Sequence, residues 1–230
     1  MRGNIQKKES VINIVSFPRY KHFFDNKKIG SELIMNENLE KIFEFIVELD
    51  KLKTVFRQTY ILGEDRPEND AEHSWHMAMM VPLLSRYSNQ KIDEGKTIKI
   101  CLAHDLVEIY AGDTYCYDPK AAADKEEREN AAAEKLFSKL DEPLKSEIYS
   151  LWTEFEEGKT PEAKFAAAMD RIQPLLLNME RNGRSWIQNG VHFSQAEKRI
   201  SKIKDGSDVL FDVAYKKIEE AKNKGWFKTD

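Results

Sequence analysis

The chain has 230 residues, 41% of them hydrophobic and 33% charged, with 36 basic against 40 acidic side chains for a formal net charge of −4. That length allows one well-filled domain and not two large ones, and the charge excludes a general pull toward nucleic acid polymers or an anionic membrane. No apolar run approaches the roughly 20 residues that span a bilayer, and two cysteines, Cys101 and Cys116, make no disulfide framework.

Residues 1–34 read unlike the rest, with mixed charge, a short run from Val11 to Val15, Phe17-Pro18, and a break at Lys27-Lys28-Ile29-Gly30. We expect them to form an N-terminal extension outside the core, and the compact domain to fill 35–230. The first residues lack the apolar core and small-residue cleavage site of a signal peptide, so the expected location is cytoplasmic. From Asn38 onward the pattern is helical. Leu39, Ile42, Phe43, Ile46, Val47 and Leu49 recur at three- and four-residue spacing, the stripe of an amphipathic helix.

Asn69 followed three residues later by Glu72 has the form of a capping box, which predicts a second helix from Asp70 to about Ser88. Trp75, Met79, Met80, Leu83 and Leu84 are expected to face inward, and Pro82 to bend the helix. A third helix is predicted from Thr97 to Tyr110, with Gly112 as its stop. Asp118-Pro119 opens a loop, Ala121 to Leu140 is a charged, alanine-rich helix, and another runs from Pro143 to Glu156. Gly158 ends that helix; Thr160 caps the next and Pro161 takes its first position. That helix holds Met169, Asp170 and Ile172 and continues past Pro174 to about Arg181, and one or two helices close the chain from Ser194. Period-two alternation is absent beyond the N-terminal extension. The predicted fold class is all-α, a single compact domain of about six to eight helices around a central group.

His104-Asp105 interrupts an apolar stretch, Ile100 to Ala103 before and Leu106-Val107 after. A buried carboxylate is costly unless it is paired or bound to a cation. Glu108, four residues after His104, falls on the same helical face, and Asp113 follows the glycine. His73 lies in the first turn after the capping box, and Asp170 sits in another apolar register, Ala167-Ala168-Met169. Two imidazoles and two carboxylates from three helices make a mixed nitrogen and oxygen set suited to a borderline divalent metal.

The order His73, His104-Asp105, Asp170 resembles the H…HD…D signature of the HD superfamily. Arg66-Pro67-Glu68-Asn69-Asp70-Ala71-Glu72-His73-Ser74 is similar to the R-x-E-N-x-x-E-H-S stretch of bacterial HD-domain 5′-deoxynucleotidases, and His104 to Glu108 with Ala111-Gly112-Asp113 resembles their H-D-x-x-E…G-D. The likeness runs from about residue 38 to 195. It implies an all-α HD domain in which His73, His104, Asp105 and Asp170 hold one divalent metal ion (Mn, Co, Mg, Fe, Ni or Zn). It further implies that Arg57 binds the substrate phosphate, Glu108 transfers a proton or orients water, and Asp113 contacts the sugar.

The implied activity is hydrolysis of a phosphomonoester, the 5′-phosphate of a (deoxy)nucleoside monophosphate. A pyrophosphate or alarmone hydrolase and a non-catalytic nucleotide-sensing HD domain are the alternatives. Gln58 stands where some of these nucleotidases carry an aromatic residue, which leaves the sugar open. The resemblance also implies a homodimer, with the C-terminal helix offering an interface. Because imidazoles bind metal when neutral, metal content and activity are expected to fall below about pH 6.

Overall fold

The computed structural model describes residues 29–117 and 124–229, with side chains from residue 37 onward. Most of the expected N-terminal extension, and the loop opened by Asp118-Pro119, therefore lie outside the described residues. The chain runs through α1 (Ile29–Leu49), a 3-10 turn, the short strands β1 (Phe56–Tyr60) and β2 (Pro67–Asn69), α2 (Asp70–Leu84), α3 (Glu94–Ala103) and α4 (Glu108–Ala111). It continues through α5 (Lys125–Phe137), α6 (Leu144–Glu157), α7 (Pro161–Glu180), α8 (Arg184–Gln188), α9 (Phe193–Ser201), α10 (Ile203–Gly206) and α11 (Asp208–Asn223). Among the described residues, eight helices of nine residues or more carry the fold, as the all-α reading expects.

The helix boundaries follow their caps. Asn69 accepts from the Glu72 amide while the Glu72 carboxylate accepts from the Asn69 amide, closing the capping box that starts α2. Thr160 caps α7 through the Ala163 amide with Pro161 behind it, and Gly158, at φ 59°, ends α6 in the left-handed region. α7 is the central helix. Ala163, Phe165, Ala166, Ala168 and Met169 are fully buried, because α2, α3, α6 and α9 to α11 pack around it. α10 lies so close that a Cβ at Gly206 would stand 2.5 Å from the Lys164 carbonyl oxygen. A second core gathers Phe45, Leu136, Phe137 and Trp152 between α1, α5 and α6.

Three expectations need correction. β1 and β2 form an antiparallel pair, Phe56 opposite Asn69 and Tyr60 opposite Pro67, where no strand was expected. Arg57 and Thr59 turn inward while Phe56 and Gln58 are exposed, so the alternation runs with polar residues inside and carries no apolar signal. On α2 the buried face is His73, Ser74, Met77, Ala78, Met80 and Val81; Trp75, Met79 and Leu83 point outward at 63%, 47% and 65% exposure. Finally, the helix predicted from Thr97 to Tyr110 is broken, since α3 stops at Ala103 and α4 starts at Glu108.

Candidate metal centre

His73 and Asp170 meet because α2 and α7 cross at the centre of the fold. His73 Nε2 lies 3.2 Å from Asp170 Oδ1, with the histidine completely buried. Its Nδ1 is 2.9 Å from Gln173 Oε1. The Gln173 amide nitrogen already donates to Glu68 at 2.7 Å and faces His76 Nδ1 at 3.1 Å, so its oxygen is the acceptor and His73 Nδ1 carries the proton. The lone pair on Nε2 is thereby turned onto a carboxylate oxygen. Two electron-rich atoms at that distance require a proton or a cation between them.

His104 repeats the arrangement. Its Nδ1 donates to the Cys101 carbonyl at 2.8 Å, and its Nε2 faces Asp105 Oδ2 at 3.0 Å without hydrogen-bond geometry, a buried atom with no hydrogen-bond partner. These groups lie where the chain leaves the regular helix between α3 and α4. Leu106 bonds back to Ala103 and Glu108 to Asp105, tightening the chain into three-residue turns in which positions i and i+3 eclipse. Asp105 and Glu108, three positions apart, therefore share a face, while the neighbouring His104 and Asp105 meet through their side chains, Nε2 to Oδ2 at 3.0 Å. Phe155 packs against the His104 ring, centroids 4.7 Å apart and planes tilted by 57°.

Ligand-capable atoms of His73, His104 and Asp170 lie within 4.8 Å of one another, and so do those of Asp70, Asp105 and Glu108. The first group, with two oriented imidazole lone pairs beside carboxylate oxygens, is compatible with a metal site.

The electrostatics divide these acids. Burial acts to raise Asp170, but Arg199, His73 and Arg171 reverse it and hold the carboxylate well below its ordinary value. Burial acts to lower His73, and Arg57 adds to that; the Asp170 and Glu68 carboxylates outweigh both and lift the imidazole to about 9. In the chain without metal, then, a proton takes the place between His73 and Asp170. Burial, reinforced by Asp105, raises Asp70 to about 6 and pushes Glu108 well above the carboxylate range. Glu108 is buried, and its Oε2 has no hydrogen-bond partner.

Arg57, projecting inward from β1, stands among five carboxylates. Its Nη1 donates to Asp105 at 2.8 Å and Asp70 at 3.2 Å, and Asp113, Asp170 and Glu68 lie within 3.7 to 3.9 Å. Its Nε and Nη2 make no hydrogen bond among the described residues. The cluster opens into a cavity of about 480 Å³ lined by Arg57, Asp105, Glu108, Asp113, Arg171 and Arg199 among others.

A family model described as the HD domain matches residues 49–209, which hold every one of these groups. The chain belongs to the HD domain family. Among HD domain proteins, the 5′-deoxynucleotidase HDDC2 of Xenopus laevis is 30% identical over 167 residues, covering 72% of this chain and 76% of that one. The 5′-deoxynucleotidase hdd1 of Schizosaccharomyces pombe is 28% identical over 193 residues, covering 80% and 86%. The crystal structure of a predicted metal-dependent phosphohydrolase from Magnetospirillum magnetotacticum superposes with a TM-score of 0.79 at 43% identity, covering 83% of this chain and 96% of that one.

All seven residues singled out in the sequence, Arg57, His73, His104, Asp105, Glu108, Asp113 and Asp170, are brought to this HD domain site. Arg66 is not, since it pairs with Glu72 at 2.6 Å outside the cavity. Sequence reasoning passed over Glu68 and Asp70, which looked like helix-entry residues, and Gln173, which looked like an ordinary polar position of α7. Glu68 and Asp70 lie in the same word as His73, Arg66 to Ser74, and that was the available signal.

Proposed function

We propose that this HD domain protein is a metal-dependent phosphohydrolase that removes the 5′-phosphate of nucleoside monophosphates, deoxynucleotides foremost. The observation that carries the reading is the pair of imidazoles whose tautomers are fixed so that both Nε2 lone pairs face carboxylate oxygens, with Asp105, the partner of His104, belonging to a second buried cluster with Asp70 and Glu108. The relatives named 5′-deoxynucleotidase support the substrate class.

His73, His104, Asp105 and Asp170 would hold one divalent cation, with Mn, Co, Mg, Fe, Ni and Zn all compatible with the donor set. When bound, such a cation supplies Lewis acidity toward a phosphoryl oxygen and an activated water. Glu108, its carboxyl pushed up by burial and by Asp105, would donate a proton to the leaving 5′-oxygen. Asp113, on the cavity wall after Gly112, accepts from a sugar hydroxyl. Arg57 neutralises the surrounding carboxylates through Nη1 and offers Nε and Nη2 to the phosphate. Without that charge, five carboxylates would repel a phosphate dianion.

The test is a phosphate-release screen of the purified chain across ribo- and deoxynucleoside 5′-monophosphates with added Mn²⁺ or Co²⁺. Release from at least one nucleotide is expected. Release from none would remove the reading, and release from pyrophosphate-linked nucleotides instead would favour the alarmone alternative.

The extension is proposed to lie outside the catalytic domain up to the start of α1 at Ile29, short of the boundary expected at residue 34, and the enzyme to act in the cytoplasm. A homodimer is proposed from the exposed Phe43, Ile46 and Val47 of α1 and the exposed Trp75 and Leu83 of α2, apolar surface of the kind that marks an interface. A monomer mass in sedimentation equilibrium would remove it.

A further inference from the structure

Asp170 has two working faces. Oδ1 lies toward His73, whereas Oδ2 accepts from Arg171 at 3.0 Å and from Arg199 at 2.8 Å. Arg171 follows Asp170 on α7 and Arg199 arrives from α9, so the two guanidiniums converge from different helices on the same cavity wall.

The charge balance of this wall is the reverse of that around Arg57. Arg57 is one cation among five carboxylates. Arg171 and Arg199 are two cations on one carboxylate oxygen, and among the described residues Asp170 is the ion-pair partner each of them has. Glu156 is the other carboxylate of the wall whose field reaches Arg171. Both side chains are mostly buried, 16% and 27% exposed.

Their donors are also underused. A guanidinium carries five N–H donors. Arg171 employs Nη1, toward Asp170 and the Ala167 carbonyl, and its Nε is buried without a partner. Arg199 employs Nη2 toward Asp170. A half-buried pair of cations with spare donors is poorly compensated until an anion arrives. The planar fork of arginine matches phosphate oxygens, which lysine meets only as a point charge.

We propose that Arg171 and Arg199 form a phosphate-gripping wall of the cavity, taking phosphoryl oxygens of the substrate beside the Oδ2 face of Asp170. The proposal rests on the reading of the substrate as a phosphomonoester and adds to it a binding pair distinct from Arg57. The competing role is purely internal, the two arginines serving only to hold Asp170 toward the metal.

The two roles separate when inorganic phosphate is titrated calorimetrically into the full chain at saturating Mn²⁺, with manganese affinity measured independently. Arg199→Met is expected to weaken phosphate binding about tenfold or more, as expected for a lost charge-assisted hydrogen bond. KM for a nucleoside monophosphate should rise in parallel while manganese affinity stays close to wild type. Arg199→Lys and Arg171→Lys keep the charge and lose the fork, so each is expected to bind phosphate less well than wild type; they carry the test should Arg199→Met fail to fold. Phosphate affinity equal to wild type in all three variants at full metal occupancy would overturn the proposal. So would a loss that vanishes once manganese is restored, since that outcome assigns the arginines to Asp170 alone. If the wild type binds phosphate through Arg199 yet hydrolyses no nucleoside monophosphate, the anion site stands and the substrate reading falls.

Discussion

At the scale of single residues, the decisive facts are protonation and tautomer. His73 and His104 each donate from Nδ1 to a fixed carbonyl-type oxygen, Gln173 Oε1 in one case and the Cys101 backbone in the other, and so present Nε2 toward the centre. Glu108 is different in kind. Burial and the fields of Asp105 and Asp70 push its carboxyl well above the ordinary range, the direction that the proposed proton donor requires. Glu108→Gln retains shape and hydrogen-bonding capacity but has no proton to transfer. It should lower kcat by about 10²- to 10⁴-fold and leave metal content and melting temperature near wild type. Assay of turnover beside elemental analysis decides it, and unchanged turnover would take Glu108 out of the chemistry. The residue types and spacing of this group were readable in the sequence, because charged residues in apolar registers stand out there. Glu68, Asp70 and Gln173 were not, since a residue next to a cap or on a long helix gives no sign of being buried until its neighbours are placed.

At the scale of elements, the site depends on where helices stop and how closely they pack. Between α3 and α4 the chain tightens into three-residue turns that set Asp105 and Glu108 on one face. The caps at Asn69 and Thr160 were legible because capping chemistry is local. The break after Ala103 was not, because the segment from Ile100 to Tyr110 is helix-compatible residue by residue and gives way only to the requirement that its polar groups converge. β1 was hidden for a related reason, as its inward positions are the polar Arg57 and Thr59. Tight packing behind the site is itself testable at Gly206, where an added Cβ would meet the Lys164 carbonyl at 2.5 Å and the Phe165 Cα at 3.0 Å. Gly206→Ala should destabilise the protein by about 1–3 kcal/mol through the forced separation of α10 from α7. Chemical denaturation measures this, and an unchanged midpoint would mean that the two helices separate without strain.

At the scale of the whole molecule, the proposed metal ligands come from α2, the end of α3 and α7, so metal binding there should stabilise the entire helical core. Ligand at a hundred times its dissociation constant adds about 2.7 kcal/mol. The gain should depend on pH with a definite sign. His73 is raised to about 9 in the metal-free chain, so its own contribution to stability is complete below the unfolded value near 6.5 and is lost as pH rises through about 9. Metal needs the same Nε2 without its proton, and its affinity therefore climbs over that interval, at most about tenfold per pH unit. This extends the fall in metal content expected below pH 6 to a higher range. Melting curves with and without Mn²⁺ should show a shift that grows between pH 6 and pH 8.5, and an equal shift at both would contradict the assignment of His73.

The sequence by itself determined the helical class, most helix starts, the family resemblance and seven polar residues that the fold brings together, because periodicity, caps and out-of-place charges are local or pairwise signals. Only the tertiary structure decided which way each ring nitrogen points, which carboxyl burial pushes up, and that Arg57 lies among carboxylates while Arg171 and Arg199 crowd a single one. Those properties are set by burial and by the field of groups distant in sequence, and neither exists until α2, α3, α7 and α9 are packed together.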